Sequence, residues 1–182
     1  MNILNYIQCF ENILDPVICD EIIKNSENET FHSSTTLGDI NVNDYRKCYD
    51  KPLNKKYEEY LFKTIGNVLI KYKEKVPYFS TGLSTEDTGY NHLLYKGSQS
   101  GEYKIHVDHA DISHRVLSIS FILNDDYDGG DFCFFDKKIH GNNFIVKKKK
   151  ASAVVFPSNF CFPHAVLPVK NGDRHSIVTW IQ

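Results

Sequence analysis

Arg115-Val116-Leu117-Ser118-Ile119-Ser120-Phe121-Ile122-Leu123-Asn124 is the stretch whose reading decides the fold. In an extended chain successive side chains point to opposite faces. Leu117, Ile119, Phe121 and Leu123 therefore form one large apolar face, while Val116, Ser118, Ser120 and Ile122 form a smaller, partly polar one. The large face can pack on helices and the small one can line a cavity. Short alternating runs of the same texture surround it, at 90–96, 103–107, 131–135, 143–147, 151–156, 164–169 and 174–181. Short strands divided by turn signals predict a sandwich or barrel. Asp128-Gly129-Gly130-Asp131 tolerates positive φ and is expected to close a hairpin.

Upstream the period changes. Asp15-Pro16, followed by Val17, Ile18, Ile22 and Ile23, reads as an N-cap, a first-turn proline and a short amphipathic helix ending near Asn25. Leu53, Tyr57, Tyr60, Leu61, Ile65, Leu69 and Tyr72 recur at steps of three and four, predicting a second helix from Leu53 to about Lys73, shut off by Pro77. Residues 26–50 read as a long surface loop with at most a short strand around Tyr45 to Cys48, and residues 80–89 as a second loop.

The 182 residues are 41% hydrophobic and 24% charged, which excludes a disordered or fibrous chain and makes one domain the default. Lys plus Arg (21) against Asp plus Glu (23) leaves a formal charge of −2, without the basic excess that nucleic-acid binding uses. Five cysteines, at 9, 19, 48, 133 and 161, share no metal or redox spacing and read as reduced thiols. No secretory leader or membrane-length apolar run is present, so a soluble cytoplasmic protein is expected. Lys147 to Lys150 read as a solvated strand end. His109, His114, His140 and His175 read as surface residues.

In Tyr103-Lys104-Ile105-His106-Val107-Asp108, alternation turns His106 and Asp108 to the same side. His109-Ala110-Asp111 matches the same His-x-Asp pattern but has loop character, so the first pair is preferred. His164 opens a later strand in an apolar neighbourhood. Two imidazoles and one carboxylate on a rigid sheet form the facial arrangement that suits Fe(II), with open positions for further ligands. Zinc suits the same donors, and Cys161 is a conceivable fourth ligand, though a Phe-flanked cysteine is more often buried and inert. On the last strand, Arg174, Ser176, Val178 and Trp180 share a face. A buried guanidinium there needs an anion, either an acidic side chain or a ligand carboxylate.

These residues carry a resemblance. Tyr95-x-Gly97, Tyr103-x-x-His106-x-Asp108, Arg115, Leu123-Asn124, Gly129-Gly130-Asp131, Phe156-Pro157, His164-x-x-x-Pro168-Val169 and Gly172-x-Arg174-x-Ser176 with Thr179-Trp180 follow in order over residues 90–182. The series resembles the Fe(II)- and 2-oxoglutarate-dependent oxygenases, nearest the prolyl 4-hydroxylase branch. The resemblance implies a mainly β fold with N-terminal helices, a double-stranded β-helix or cupin-like jelly roll. It also implies one domain over 1–182, with helical support and substrate loops at 1–89 and a catalytic core at 90–182. His106, Asp108 and His164 would bind Fe(II) and carry catalysis. Arg174, helped by Tyr95 and Ser176, would hold the distal carboxylate of 2-oxoglutarate, and Arg115 would lie near the substrate entrance or form a plain surface ion pair. Oxygen is the co-reactant, ascorbate an accessory, and a prolyl residue in a peptide or protein the first-choice substrate; membrane and nucleic-acid partners are not expected.

Two departures bear on the substrate. Where many prolyl hydroxylases have a tyrosine before Leu-Asn, this chain has Ile122, so one polar contact to the cosubstrate is either missing or supplied by Ser118 or Ser120. The arginine of the nucleic-acid demethylase branch six residues beyond the first is replaced by Trp180, which disfavours DNA repair. The arginine anchor, in place of the lysine of collagen-type enzymes, is nearer bacterial, viral and oxygen-sensing members. A hydroxylase of a free amino acid or another peptide side chain, and a catalytically silent metal-binding jelly roll, stand as alternatives.

Overall fold

The computed structural model describes residues 2–35, 44–80, 86–109 and 114–182. In chain order the elements are β1 (Gln8–Phe10), α1 (Pro16–Ser26), β2 (His32–Ser33), β3 (Tyr49–Pro52), α2 (Glu58–Lys75), β4 (Asn91–Lys96) and β5 (Tyr103–His106). There follow β6 (Leu117–Ile122), β7 (Asp128–Gly129), β8 (Phe132–Phe134), α3 (Lys137–His140), β9 (Phe144–Val146), β10 (Ser152–Pro157), β11 (His164–Val166), β12 (Val169–Asn171) and β13 (Asp173–Ile181). Antiparallel pairing builds a seven-stranded sheet in the order β1-β10-β6-β13-β4-β3-β2, a four-stranded sheet β5-β11-β8-β9 and a small pair β12-β7.

The two faces of β6 do different work, as its alternation implies. Leu117, Ile119 and Phe121, with Ala153, Val155, Ile177 and Ile181 from neighbouring strands, pack on Ile22 of α1 and Leu61, Ile65, Val68 and Tyr72 of α2. On the other face, Ile122, Leu93, Tyr95, Val154 and Phe156 meet Phe132, Phe134 and Val166 of the smaller sheet. Helices thus buttress one side of the large sheet, and the second sheet closes the other into a jelly roll.

Helix α1 starts as expected, with Asp15 Oδ1 accepting from the Val17 N–H at 2.8 Å. Helix α2 starts at Glu58 rather than Leu53, because residues 49–52 are taken up by the ladder to β4 and the Leu53 N–H donates to the Tyr90 carbonyl. It stops before Pro77, which disfavours helical backbone at Val76. The strand expected around Tyr45 to Cys48 lies instead at β3, and Arg46 forms only an isolated bridge with Tyr103. Gly129 and Gly130 do adopt positive φ, but the turn is no hairpin: β6 pairs with β10 and β13, β8 pairs with β11 and β9, so the segment crosses between sheets.

Two side-chain expectations are corrected. His175 is half-buried, its Nδ1 3.0 Å from Nε2 of the fully buried His92, with Phe31 edge-on to that imidazole. Cys161 is exposed: Asn159 Oδ1 takes its N–H and turns the segment outward, so Phe162 rather than Cys161 enters the core. The four lysines follow the end of β9 as expected, with Lys147 and Lys149 exposed; Lys147 pairs with Asp131, Lys149 with Glu11 and Lys150 with Asp20, while Lys148 donates to the carbonyls of Tyr127 and Gly129. All five cysteines are free thiols. Among the described residues no helix is long and apolar enough to cross a membrane.

Candidate active site

Strand β11 lies between β5 and β8, and its first residue, His164, sits directly opposite His106, the last of β5. The two imidazole centroids are 4.3 Å apart. Each ring places its Nδ1 on a backbone carbonyl two residues earlier, His106 on Lys104 at 2.8 Å and His164 on Phe162 at 3.1 Å. A carbonyl can only accept, so Nδ1 carries the proton and Nε2 presents a lone pair. Burial pushes the His164 pKa down to about 4, keeping that ring neutral.

Asp108 completes the group. Its Oδ1 is 3.5 Å from His106 Nε2 and its Oδ2 is 3.6 Å from His164 Nε2, and one donor atom from each of the three residues lies within 4.8 Å of the others. Its main chain is pinned from β10's end: the Asp108 and His109 N–H groups both donate to the Ser158 carbonyl, at 3.2 and 2.9 Å. Oδ2 accepts from Ser118 Oγ at 2.7 Å and from the Trp180 indole N–H at 3.0 Å. The Ser118 and Ser158 hydroxyls are 2.8 Å apart. Burial alone would raise the carboxyl pKa, but the two imidazoles and the Ser118 hydrogen bond hold it well below the usual carboxylate range. Two imidazole lone pairs and an ionised carboxylate oxygen converging on one point repel each other until a cation lies between them. The donor set fits a ferrous ion.

Arg174 is opposite Tyr95 in the ladder and 1% exposed. Nη1 donates to Ser176 Oγ at 2.8 Å, whereas the buried Nε and Nη2 have no partner among the described residues. The guanidinium carbon lies 4.9 Å from the Tyr95 ring centroid and 5.3 Å from that of Phe132. A desolvated cation with an idle edge fits an incoming carboxylate. Gly130 makes room for its stem: at φ +66°, a Cβ there would stand 3.2 Å from Arg174 Cδ and 2.7 Å from Tyr127 Cε2.

A cavity of about 670 Å³ joins these groups, lined by the His106-Asp108-His164 cluster, Tyr95 and Arg174, with Phe132, Phe156 and Val178 as apolar wall. The structure thus brings His106, Asp108 and His164 together, gathers Arg174, Tyr95 and Ser176, and places Arg115 on the same cavity. Among the described residues Arg115 makes no ion pair; its guanidinium lies 3.6 Å over the Trp180 ring and donates to the Asp108 carbonyl at 3.3 Å. Asp111, the alternative carboxylate, lies outside the described residues, as does much of the 80–89 loop. Ser118 is engaged with Asp108 rather than free for a cosubstrate, while Ser120 lines the cavity. Sequence reasoning assigned no role at the site to Ser158, Arg46, Tyr103 or Trp180; the one available signal was that Trp180 shares a strand face with Arg174.

Residues 90–182 match the 2OG-Fe(II) oxygenase superfamily. A PKHD-type hydroxylase from Psychrobacter sp. (strain PRwf-1) is 34% identical over 100 residues, covering 49% of this chain and 37% of that protein, so the chain matches well under two thirds of its relative's length. Among solved structures, a prolyl hydroxylase from Trichoplax adhaerens in complex with a hypoxia inducible factor oxygen degradation domain peptide superposes with a TM-score of 0.77 at 17% identity, covering 97% of this chain and 83% of that one. A Pseudomonas putida prolyl-4-hydroxylase gives 0.73 at 19% identity, covering 97% and 92%. A viral collagen prolyl hydroxylase from Paramecium Bursaria Chlorella virus-1, solved as a 2OG complex, gives 0.69 at 16% identity, covering 97% and 95%. At these identities the structural likeness establishes the jelly-roll fold.

Proposed function

The chain belongs to the 2OG-Fe(II) oxygenase superfamily, and from that premise we propose that it is an Fe(II)- and 2-oxoglutarate-dependent hydroxylase of a prolyl residue in a peptide or protein. One observation carries the reading: three metal-type donors and a buried, half-unpartnered arginine share a single cavity. The peptide-bound Trichoplax enzyme and the prolyl hydroxylases of similar fold support the substrate class.

The chemistry a bound ferrous ion would supply is oxidation of 2-oxoglutarate by O₂ to succinate and CO₂, with one oxygen atom entering a substrate C–H bond. Everything else falls to the chain. His106 and His164 would offer Nε2, their tautomers set by the carbonyls of Lys104 and Phe162. Asp108 would offer Oδ1, because Ser118 and Trp180 occupy Oδ2 and stop the carboxylate from turning. Arg174 would take the distal carboxylate of 2-oxoglutarate on its free edge, with Ser176 and Tyr95 fixing the guanidinium plane. Phe132, Phe156 and Val178 would keep bulk water from the reacting end.

The test is to incubate the purified protein with Fe(II), ascorbate, 2-oxoglutarate and proline-containing peptides, following succinate and a +16 Da product. Arg174→Ala should abolish turnover while the protein stays folded. Full activity in that variant would refute the anchor, and absence of succinate under every condition would refute the enzyme.

A further inference from the structure

The cavity holds two more arginines that the assigned chemistry does not use. Arg46, just before β3, lies with its guanidinium carbon 4.6 Å from the Tyr103 ring centroid, and Tyr103 stacks on His106 at 3.5 Å. Arg115 lies on Trp180, whose indole holds Asp108. Each cation is therefore one aromatic ring away from a metal-type donor. We propose that Arg46 and Arg115 together seat a carboxylate of the substrate, so that the enzyme selects targets carrying an acidic group at, or immediately beside, the residue it hydroxylates. This rests on the hydroxylase reading above and specifies its substrate.

Three observations support the assignment. Among the described residues the buried Nε of both arginines has no partner. Each side chain otherwise donates only to a carbonyl, Arg46 to Thr35 at 3.0 Å and Arg115 to Asp108. No ion pair among the described residues involves either one. Of the carboxylates that line the cavity, Asp50 accepts from Ser34 on Oδ1 and Asp108 is enclosed by Ser118, Trp180 and the imidazoles, and neither stands at ion-pair distance from the two guanidiniums. Two half-buried like charges facing one cavity, with no carboxylate at ion-pair distance among the described residues, are costly, and a planar carboxylate satisfies guanidinium edges that stacking leaves free. The cosubstrate would not answer that need, because its distal carboxylate would have the unpartnered edge of Arg174 and its 2-oxo acid end would go to the metal held by His106, Asp108 and His164.

The experiment uses protein loaded with Mn(II) and a non-oxidisable 2-oxoglutarate analogue. Its probes are N-acetylated, C-amidated dipeptides: proline–aspartate against proline–asparagine, and alanine–aspartate against alanine–asparagine. Metal-induced relaxation of the probe protons reports binding near the metal. Acidic members should bind about tenfold more tightly than their amides, as one charge-assisted contact provides. The advantage should shrink with ionic strength, nearly vanish in Arg46→Gln and Arg115→Gln, and return in part in Arg46→Lys. An alanine–proline probe with a free C-terminus, against its amide, tells a chain-end carboxylate from a side-chain one. Equal binding of acid and amide, or no binding of either, overturns the proposal, and the wild-type comparison decides even where a variant fails to fold. An acid preference shared by proline and alanine probes, without prolyl hydroxylation, would keep the seat and refute the prolyl reading; hydroxylation indifferent to acidic neighbours would do the reverse.

Discussion

Replacing Ser118 by alanine removes a single hydroxyl from a buried position where alanine fits the strand without strain. In the wild type that hydroxyl is 2.7 Å from Asp108 Oδ2 and 2.8 Å from Ser158 Oγ. A hydrogen bond to a charged acceptor contributes about 1.5–3 kcal/mol. Its loss leaves the carboxylate restrained on that oxygen by the Trp180 indole N–H at 3.0 Å. If the hydrogen bond serves to aim Oδ1, that energy appears in metal affinity, which should fall about 10- to 100-fold. Calorimetric titration with Co(II) or Mn(II) against a competing chelator measures it directly, and a urea melt of the same sample separates lost aim from lost stability. Trp180→Phe should produce a loss of similar size. The double variant should lose less than the sum of the two, because both donors serve one oxygen. Metal affinity within about threefold of wild type in both single variants, at intact melting behaviour, would refute the positioning argument.

Gly130→Ala should destabilise by about 2–4 kcal/mol, since its φ of +66° disfavours a side chain and the added Cβ would crowd Tyr127 and Arg174; an unchanged urea midpoint would contradict this. The same variant should raise the KM for 2-oxoglutarate more than it lowers kcat, because the crowding falls on the Arg174 stem. Stability should also fall with acid well before the carboxylates titrate. Burial holds His175 at a pKa of about 4 and His92 well below its ordinary value, with Lys51 opposing protonation of both and Asp173 and Asp126 favouring it at His175. The unfolded chain takes up these protons near pH 6.5, while the folded one refuses the His175 proton until about pH 4 and the His92 proton until well below its ordinary range, so stability is full above pH 7 and declines as pH falls toward 4. By pH 5 His175 alone should cost about 2 kcal/mol. Urea midpoints at pH 7.5 and 5 measure the difference, and His175→Asn should flatten it; equal slopes in the two proteins would refute the assignment.

Features that depend on neighbours in the chain were legible from it. Alternation from Arg115 to Asn124 separated the helix-facing Leu117, Ile119 and Phe121 from the cavity-facing Ser118 and Ser120, as the packing shows. The same period aligned Arg174, Ser176 and Trp180. Where local pattern misled, a distant partner had intervened. Helical spacing at Leu53 yielded to the Tyr90 carbonyl, and the glycine turn at 129–130 joined two sheets because its flanking strands pair elsewhere. Cys161 faced out because Asn159 turned the chain.

By itself the sequence determined strand identity, face and the order of the metal-type residues, because side-chain direction along a strand is set by backbone stereochemistry within a few residues. Only the tertiary structure decided what those residues touch. Asp108 meets Ser118, Ser158 and, 72 positions away, Trp180, and Arg46 comes to the cavity that holds Arg115. Such contacts follow from sheet register, and register is a property of the whole packed core rather than of any stretch within it.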